Sequence, residues 1–347
     1  MKAVYKWIIG LCSAVFVTIL LVAIAGYSVL LKPNFSVEEG KSAFVYLYPG
    51  DDFDVLKAKI DSVATISNVS SFDFWANHQG LPDHLRSGRY RIRNGATNRE
   101  VVNMFLAGMQ EPLSVIFNNL RLPQQLAAHL GNTLMLDSAQ WMATFTDTAM
   151  LSAYHIDTAT LFTLVLPNTY EVYWNMSGEQ FMKRMADFSA TFWSEHRLAQ
   201  AKEMELTPAE VITLASIVEE ETNKSDEKPV VAGLYYNRLR RGMLLQSDPT
   251  VKFAVGDFTL TQILNKHLAV VSPYNTYLNP GLPPGPIRMP SLEGIDAVLN
   301  YAHHNYIYMC AKPELNGRHN FAATLAEHNR NAAMYHQALR AWLAKQK

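Results

Sequence analysis

Cysteine is scarce in this sequence, and its distribution excludes whole classes of protein. Among 347 residues only Cys12 and Cys310 are cysteines, and Cys12 lies in an apolar N-terminal stretch. The rest of the chain therefore cannot form an intrachain disulfide, and a CxxC or Cys-rich zinc site is excluded. Stability has to come from a hydrophobic core, for which a chain of this length has enough residues.

Basic charge is not in excess either. The 30 Lys and Arg residues are balanced by 31 Asp and Glu residues, which gives a net charge of -1. Proteins that bind nucleic acid through its phosphates carry a basic surplus. We therefore expect no nucleic acid among the partners of this protein.

The sequence also lacks the common motifs for nucleotides, serine nucleophiles and metals. It contains no P-loop, no Gly-x-Gly-x-x-Gly fingerprint and no Gly-x-Ser-x-Gly elbow. Eleven histidines occur, but none form a His-x-x-x-His pair, and the adjacent His303 and His304 would point in different directions. We expect neither a bound metal nor another cofactor.

Charge is missing altogether from residues 7–31, a run of 25 residues without Asp, Glu, Lys or Arg. At ~1.5 Å per residue, a helix of this length exceeds the ~30 Å hydrocarbon core of a bilayer, which predicts a transmembrane helix. The alternative is a cleaved signal peptide, because Lys2 and Lys6 precede the run and Ala23-Ile24-Ala25 resembles a cleavage site. The length favours the anchor, since the apolar region of a signal peptide usually spans ~7–15 residues.

The lysines before the helix also predict its orientation. Under the positive-inside tendency, residues 1–6 form a cytoplasmic tail and the chain after the helix lies outside the cytoplasm. Residues 32–41 are polar and turn-rich and are predicted to be a juxtamembrane linker. The sequence therefore predicts a single-pass protein of the inner (plasma) membrane with an extracytoplasmic ectodomain.

The ectodomain is predicted to contain two modules. Residues 42–112 give strand, turn and helix signals twice over, ending with a capping box formed by Thr97 and Glu100, which is typical of a small α+β module. The alternative is that this region is an extension of the main domain. Residues 113–347 carry mostly helical patterns, so the predicted fold class of the whole chain is α+β.

One segment of the second module is rich in proline and aromatic residues. Residues 272–286 hold five of the sixteen prolines and are predicted to lack regular structure. Such a loop is either a rigid surface crossover or the wall of a binding cleft.

A helix beginning at Pro208 carries the most informative charges. Thr207 and Glu210 form its capping box, and at ~100° per residue the apolar side chains that follow form one arc. Glu219 and Glu221 fall on the two flanks of that arc, with Glu221 nearer its centre, whereas Glu220 falls opposite and is predicted to be solvated.

A carboxyl group that faces apolar surroundings can serve as a general acid. Burial disfavours its charged form and raises its pKa, so it can hold a proton near neutral pH, as cleavage of a glycosidic bond requires. The alternative is that Glu219 and Glu221 pair with basic residues of the next helix, namely Arg238, Arg240 or Arg241. Downstream, Asp248 precedes Pro249 and either caps a turn or provides a second carboxylate.

Several motifs in order resemble the membrane-anchored endolytic murein transglycosylases, the MltG or YceG-like family. They run Ala215-Ser216-Ile217-Val218-Glu219-Glu220-Glu221-Thr222, Asn237-Arg238-Leu239, Gln246-Ser247-Asp248-Pro249-Thr250, Tyr274-Asn275-Thr276-Tyr277 and Gly281-Leu282-Pro283-Pro284-Gly285. The sequence departs from the family pattern at Asn168, where Asp is common, and over residues 256–272.

The resemblance implies a LysM-like module followed by a catalytic domain that cuts glycan strands between N-acetylmuramic acid and N-acetylglucosamine. It places the catalytic acid on Glu221. It implies peptidoglycan glycan strands as the substrate and makes cell-wall synthases candidate partners. The residues that it assigns to substrate binding or support of the site are Glu219, Asn237, Arg238, Gln246, Asp248, Tyr274, Asn275, Thr276, Tyr277, Pro283 and His319.

Three functions are open at this stage. With one proton-holding carboxyl, the C6 hydroxyl of the muramic acid closes on C1 and leaves a 1,6-anhydro end without consuming water. A hydrolase would instead need a second carboxylate, for which Asp248 is the candidate. A non-catalytic peptidoglycan-binding protein would use the α+β module and the aromatic loop, but it would not need a carboxyl on an apolar helix face.

Overall fold

The computed structural model describes residues 2–345 and has a mixed α+β architecture, with more helix than strand. The predicted fold class is confirmed at that level. The chain forms two compact units, which are described separately. Unit 1 extends to Ser114 and includes Glu171–Met176; unit 2 comprises Val115–Tyr170 and the chain from Ser177 onward.

Unit 1 begins with a long helix and continues as short strands and helices. Its elements are α1 (Lys2–Leu30), β1 (Phe35–Ser36), β2 (Ala43–Leu47), α2 (Phe53–Asp61), β3 (Thr65–Ile66), α3 (Val69–His78), β4 (Gly88–Ile92) and α4 (Asn98–Ala107), with a 3-10 turn at Leu81–Asp83. Strand β1 pairs with β3, and β2 pairs antiparallel with β4, with Ala43 opposite Ile92 and Leu47 opposite Gly88.

The core of unit 1 follows the alternation of its strands. Val45 and Leu47 of β2 and Tyr90 of β4 are buried against α2, α3 and α4, while alternate residues face outward. The predicted capping box at the start of α4 is present, since Glu100 N donates to the Thr97 hydroxyl and Thr97 N donates to the Glu100 carboxylate. The strand and helix predictions for this region are confirmed.

Helix α1 is long and apolar enough to cross a membrane over Tyr5–Leu30. Side-chain amides connect the last turn of α1 to the rest of unit 1. The Asn98 amide donates to the Val29 carbonyl over 2.8 Å, and the Asn34 amide donates to Asn98 Oδ1 over 2.7 Å. Asn34 and Phe35 are buried, so part of the segment predicted as a linker is folded into unit 1, because Asn34 is needed to satisfy these polar groups.

Unit 2 is mostly helical. Its helices are α5 (Pro123–Gly131), α6 (Ser138–Thr146), α7 (Thr148–Ser152), α8 (Gly178–Phe192), α9 (Glu195–Glu203), α10 (Pro208–Glu221), α11 (Lys228–Arg240), α12 (Asp248–Val255), α13 (Asn265–Leu268), α14 (Leu292–Leu299) and α15 (Leu325–Ala344), with a 3-10 turn at Leu161–Thr163. Its hairpin pairs β7 (Tyr308–Ala311) antiparallel with β8 (His319–Ala322). Two further strands, β5 (Leu113–Phe117) and β6 (Asn168–Val172), form a separate two-stranded sheet.

Helix α10 is the central element of unit 2. Its capping box at Thr207 and Glu210 is present as predicted, and every residue from Val211 to Val218 is buried. Helices α9, α11, α12 and α14 all pack on it. A helix that is buried on all sides has no solvated face, and this determines the surroundings of the charges at its C-terminal end.

Candidate active site

The last turn of α10 carries three consecutive glutamates, and each lies in a different environment. Glu220 is held by two arginines: Arg121 Nη2 lies 2.7 Å and Arg288 Nη1 2.5 Å from Glu220 Oε1. Only 12% of the Glu220 side chain is exposed. The prediction that Glu220 is solvated is therefore wrong, because the helical wheel assumed a free face that unit 2 covers.

Glu219 lies on another side of the helix, and a lysine neutralises it. Lys228 Nζ lies 3.0 Å from Glu219 Oε2, and the Ser291 hydroxyl donates to the same oxygen over 2.9 Å. The alternative that this glutamate forms an ion pair is confirmed. However, its partner is the first residue of α11 and not Arg238, Arg240 or Arg241.

Glu221 differs from both neighbours because hydroxyl groups hold it. The Tyr235 hydroxyl donates to Glu221 Oε1 over 2.5 Å, and the Ser247 hydroxyl donates to the same atom over 2.7 Å. Among the described residues, none of the Lys, Arg or His side chains lies within ion-pair distance of this carboxyl. The alternative that Glu221 forms an ion pair with Arg238, Arg240 or Arg241 is therefore wrong.

Burial of the carboxyl raises the pKa of Glu221 above the ordinary value for a glutamate. The hydrogen bonds from Tyr235 and Ser247 oppose this increase, the negative charge of Asp248 adds to it, and His319 opposes it slightly. The net effect favours the protonated acid, which is the form that can donate a proton to a leaving group.

Glu221 lines a cleft of ≈ 250 Å³ in unit 2. Five of the other residues predicted for the site share this cleft, namely Arg238, Gln246, Asp248, Tyr277 and His319. The sequence separates them by up to 98 positions, and α10, α11, α12, the Pro-rich loop and β8 bring them together.

Arg238 supports the cleft through its contacts with the backbone. It is buried; its Nε donates to the Ile307 carbonyl over 2.6 Å and its Nη1 donates to the Leu245 carbonyl over 2.8 Å. These bonds fix the segment before Gln246 and the start of β7. The guanidinium thus positions two walls of the cleft.

Asp248 and Tyr277 form a second hydrogen-bonded pair in the cleft. The Tyr277 hydroxyl donates to Asp248 Oδ1 over 2.7 Å, and burial, together with this carboxylate, raises the pKa of Tyr277. Asp248 is the first residue of α12 and Ser247 is its N-cap, without a side-chain capping bond. The expectation that Asp248 caps a turn is therefore wrong, because its carboxylate is bound by the tyrosine.

The middle of the Pro-rich loop anchors the segment that carries Ser247. The Thr276 hydroxyl accepts a hydrogen bond from Ser247 N over 3.0 Å, and the Thr276 carbonyl accepts one from Gln246 N over 3.1 Å. The Asn275 amide donates to the carbonyls of Leu268 and Val270 over 2.9 and 2.8 Å. Asn275 and Thr276 are both buried and hold the backbone segments next to the cleft. The loop itself lacks regular structure, as predicted.

Besides Asn275 and Thr276, four predicted residues do not line this cleft. Asn237 donates to the carbonyls of His304 and Tyr306, Tyr274 packs its ring on Phe253 at 4.6 Å between centroids, Pro283 is buried, and Glu219 lines a separate cleft of ≈ 460 Å³. These four residues therefore contact other parts of unit 2 and not the cleft that contains Glu221.

Two residues that contact Glu221 directly were absent from the sequence prediction. Ser247 lies inside the quoted Gln246-Ser247-Asp248 motif, so its neighbours provided a signal. Tyr235 lies in the middle of α11, 14 positions after Glu221, and a tyrosine on an apolar helix gives no sign that its hydroxyl meets a carboxyl on another helix.

The arrangement defines a candidate general-acid site: a partly buried carboxyl, held by two hydroxyl donors, at the edge of a cleft. The family model described as the YceG-like family matches residues 45–334. This chain belongs to the YceG-like family.

Curated relatives and one solved structure are similar to the chain. An endolytic murein transglycosylase of Bacillus subtilis is 35% identical over 159 residues, which are 46% of this chain and 43% of the relative. The protein of the same name from Streptococcus pneumoniae serotype 2 is 24% identical over 340 residues, 89% of this chain and 61% of the relative. A crystal structure of a YceG-like protein from Listeria monocytogenes matches 83% of this chain and 98% of that chain with a TM-score of 0.54 and 25% identity.

The chain spans less than two thirds of the length of the curated relatives it matches.

Proposed function

We propose that this protein is a lytic transglycosylase that cuts peptidoglycan glycan strands internally, between N-acetylmuramic acid and N-acetylglucosamine. The observation that carries the proposal is the Glu221 carboxyl, which has a raised pKa and two hydroxyl donors and contacts no cation among the described residues. Membership of the YceG-like family, whose curated relatives are named endolytic murein transglycosylases, supports the same reaction.

In the proposed reaction a single carboxyl transfers the proton in both directions. Glu221 protonates the glycosidic oxygen, the bond from that oxygen to C1 of the muramic acid breaks, and positive charge develops at C1. The C6 hydroxyl of the same sugar then closes on C1 and gives its proton to the Glu221 carboxylate. The products are a 1,6-anhydro-muramic end and a free glucosamine 4-hydroxyl, and the enzyme regains its starting protonation state.

Asp248 supports a second candidate, because a second carboxylate lies in the same cleft. A hydrolase would use Glu221 as the acid and Asp248 as the base or nucleophile. In the transglycosylase, Asp248 positions Tyr277 and contacts the sugar. A non-catalytic glycan-binding protein is the third candidate, and it leaves the protonated Glu221 without a role.

The proposed organisation places unit 1 and unit 2 in different roles. A single-pass helix at residues 7–31 holds the protein at the plasma membrane with the chain after it outside the cytoplasm. Residues 42–112 form a LysM-like module that binds glycan, and residues 113–347 form the catalytic domain. Glycan strands newly made by cell-wall synthases at the membrane surface are the proposed substrates, and those synthases are proposed partners.

Digestion of purified sacculi with the full-length protein in detergent tests this proposal. The expected products are soluble muropeptides with 1,6-anhydro ends. Mass spectrometry separates the candidates, because a hydrolase leaves reducing muramic ends that are heavier by one water. Release of no soluble fragment, with binding to sacculi retained, would favour the non-catalytic protein.

A further inference from the structure

Glu227 is a buried carboxylate that the proposed reaction does not use. It lies just before α11 with 6% of its surface exposed. It accepts hydrogen bonds from His319 N over 2.9 Å and from the Thr222 hydroxyl over 3.1 Å, and His319 Nδ1 lies 3.4 Å from its Oε2. Burying a carboxylate costs free energy unless it is hydrogen-bonded or paired, and these contacts meet that condition for Glu227.

The contacts of Glu227 join two walls of the catalytic cleft. Thr222 directly follows Glu221 at the end of α10, and His319 is the first residue of β8 and lines the cleft. Because the Glu227 carboxylate engages Nδ1, the ring nitrogen left to face a substrate or Glu221 is Nε2.

Glu221 needs a countercharge once it has donated its proton. Arg238 is occupied by backbone carbonyls, and Asp248 has the wrong sign. The other titratable groups that line the cleft are Tyr235 from α11, Tyr277 from the Pro-rich loop and Cys310 from β7. Arg318, next to His319 in the sequence, is in an ion pair with Asp226, and α15, which carries Glu327 and His328, packs on β8. Besides Arg238, His319 is the one group lining the cleft that can become cationic, and Glu227 does not engage its Nε2.

We propose that Glu227 is a positioning residue that holds the His319 imidazole as the countercharge for the Glu221 carboxylate. The proposal rests on the proposed function, since it assigns this charge to the step after proton donation. It makes the reactivity of Glu221 depend on a residue that touches neither the substrate nor the reacting atoms.

A direct titration of Glu221 tests the proposal without any catalytic readout. The full-length protein, carrying δ-13C-glutamate and held in detergent micelles, is titrated by NMR, and the Glu221 signal is assigned by its loss in Glu221→Gln. In His319→Gln the midpoint of this titration should rise by about one pH unit, because a nearby positive charge has been removed. Glu227→Gln should shift it in the same direction, and the double variant should shift it no further than His319→Gln alone.

Asp226→Asn is the matched control. Asp226 precedes Glu227 and forms an ion pair with Arg318, which precedes His319. The substitution therefore also removes one negative charge close to this segment, but from a pair that lies at the surface. The Glu221 titration should remain at its wild-type position. Should Glu227→Gln fail to fold, Glu227→Asp keeps the charge, shortens its reach, and should still raise the midpoint.

The pH dependence of kcat/KM on sacculi gives a second readout, since its alkaline limb should move with the NMR midpoint. Glu221 titrations that coincide in wild type, His319→Gln and Glu227→Gln would overturn the proposal, even if both variants cut more slowly, because a packing role would leave the titration in place. Additive shifts in the double variant would also overturn it. If wild type cuts no glycan while the midpoints still move as expected, the proposed function fails and the electrostatic coupling stands.

Discussion

Glu220 and Glu221 are neighbours at the end of the same helix, and both are partly buried, yet their surroundings are opposite. Two arginines neutralise Glu220, whereas Tyr235 and Ser247 only donate hydrogen bonds to Glu221. The comparison teaches that burial alone does not make an acid. Glu220 has two ion-pair partners, whereas Glu221 has none within ion-pair distance among the described residues.

The largest expected effect follows from removing the proton at Glu221. Glu221→Gln keeps the shape of the side chain but cannot donate or reclaim a proton, so the rate of glycan cleavage should fall by about 100- to 10,000-fold. Release of soluble muropeptides measures this, with circular dichroism to show that the fold is intact. The exposed Glu203, replaced by Gln, is the control, and activity within about tenfold of wild type in Glu221→Gln would move the catalytic role elsewhere.

Glu220→Gln should act on stability and not on chemistry. Removing this carboxylate leaves Arg121 and Arg288 without their shared partner, which should cost about 3 kcal/mol of unfolding free energy. Denaturant unfolding measures the loss, while cleavage per folded molecule should stay near the wild-type value. The exposed Glu203, replaced by Gln, should change stability by less than about 0.5 kcal/mol. If Glu220→Gln and Glu203→Gln had equal unfolding free energies, the ion pairs of Glu220 with Arg121 and Arg288 would not contribute to stability.

Tyr235→Phe should make Glu221 hold its proton more tightly. The Tyr235 hydroxyl donates to the carboxylate and opposes the increase in pKa caused by burial. Without it the alkaline limb of kcat/KM should move up by about one pH unit. An unchanged limb would mean that Tyr235 orients the carboxyl without affecting its charge.

Asp248→Asn should move the same limb in the opposite direction. The Asp248 charge adds to the increase in the pKa of Glu221, so its removal lowers that pKa and shifts the alkaline limb to lower pH. The rate at the optimum should fall by less than about tenfold, far less than in Glu221→Gln. A loss as large as that of Glu221→Gln, with reducing muramic ends in the wild-type products, would favour the two-carboxylate hydrolase.

The smallest expected effect is on stability as the pH changes. The raised pKa of Glu221 means that the folded protein holds this proton more tightly than the unfolded chain does. Its contribution to stability is complete below the unfolded pKa and is lost as the pH rises through the folded pKa. The decrease in Tm across that window should therefore be smaller in Glu221→Gln than in wild type, and parallel curves would contradict this.

Local signals in the sequence predicted the elements that local contacts make. The capping boxes at Thr97 and Thr207 are formed within one turn of helix, so three residues were sufficient to place them. The irregular loop at 272–286 follows from proline in the same way. The choice of Glu221 as the candidate acid came from a family resemblance together with the helical wheel.

The environments of the glutamates could not be predicted from the helix alone. Glu220 meets Arg121 and Arg288, which lie 99 and 68 positions away, and the wheel has no information about such partners. The wheel also treats a helix as half exposed, whereas four neighbouring helices cover α10. Tyr235 and Ser247 reach Glu221 only because α11 and the start of α12 fold back over the end of α10.

The position of Glu221 as the final residue of a 14-residue helix has one more consequence. The aligned peptide dipoles of such a helix leave about half a negative charge on its terminal carbonyls. Glu219, Glu220 and Glu221 all lie at this unfavourable end, where an anion gains free energy by taking up a proton or a counterion. Glu219 and Glu220 have ion-pair partners, whereas Glu221 has none among the described residues, so the partial charge at this end of α10 acts in the same direction as burial and favours the protonated form of Glu221.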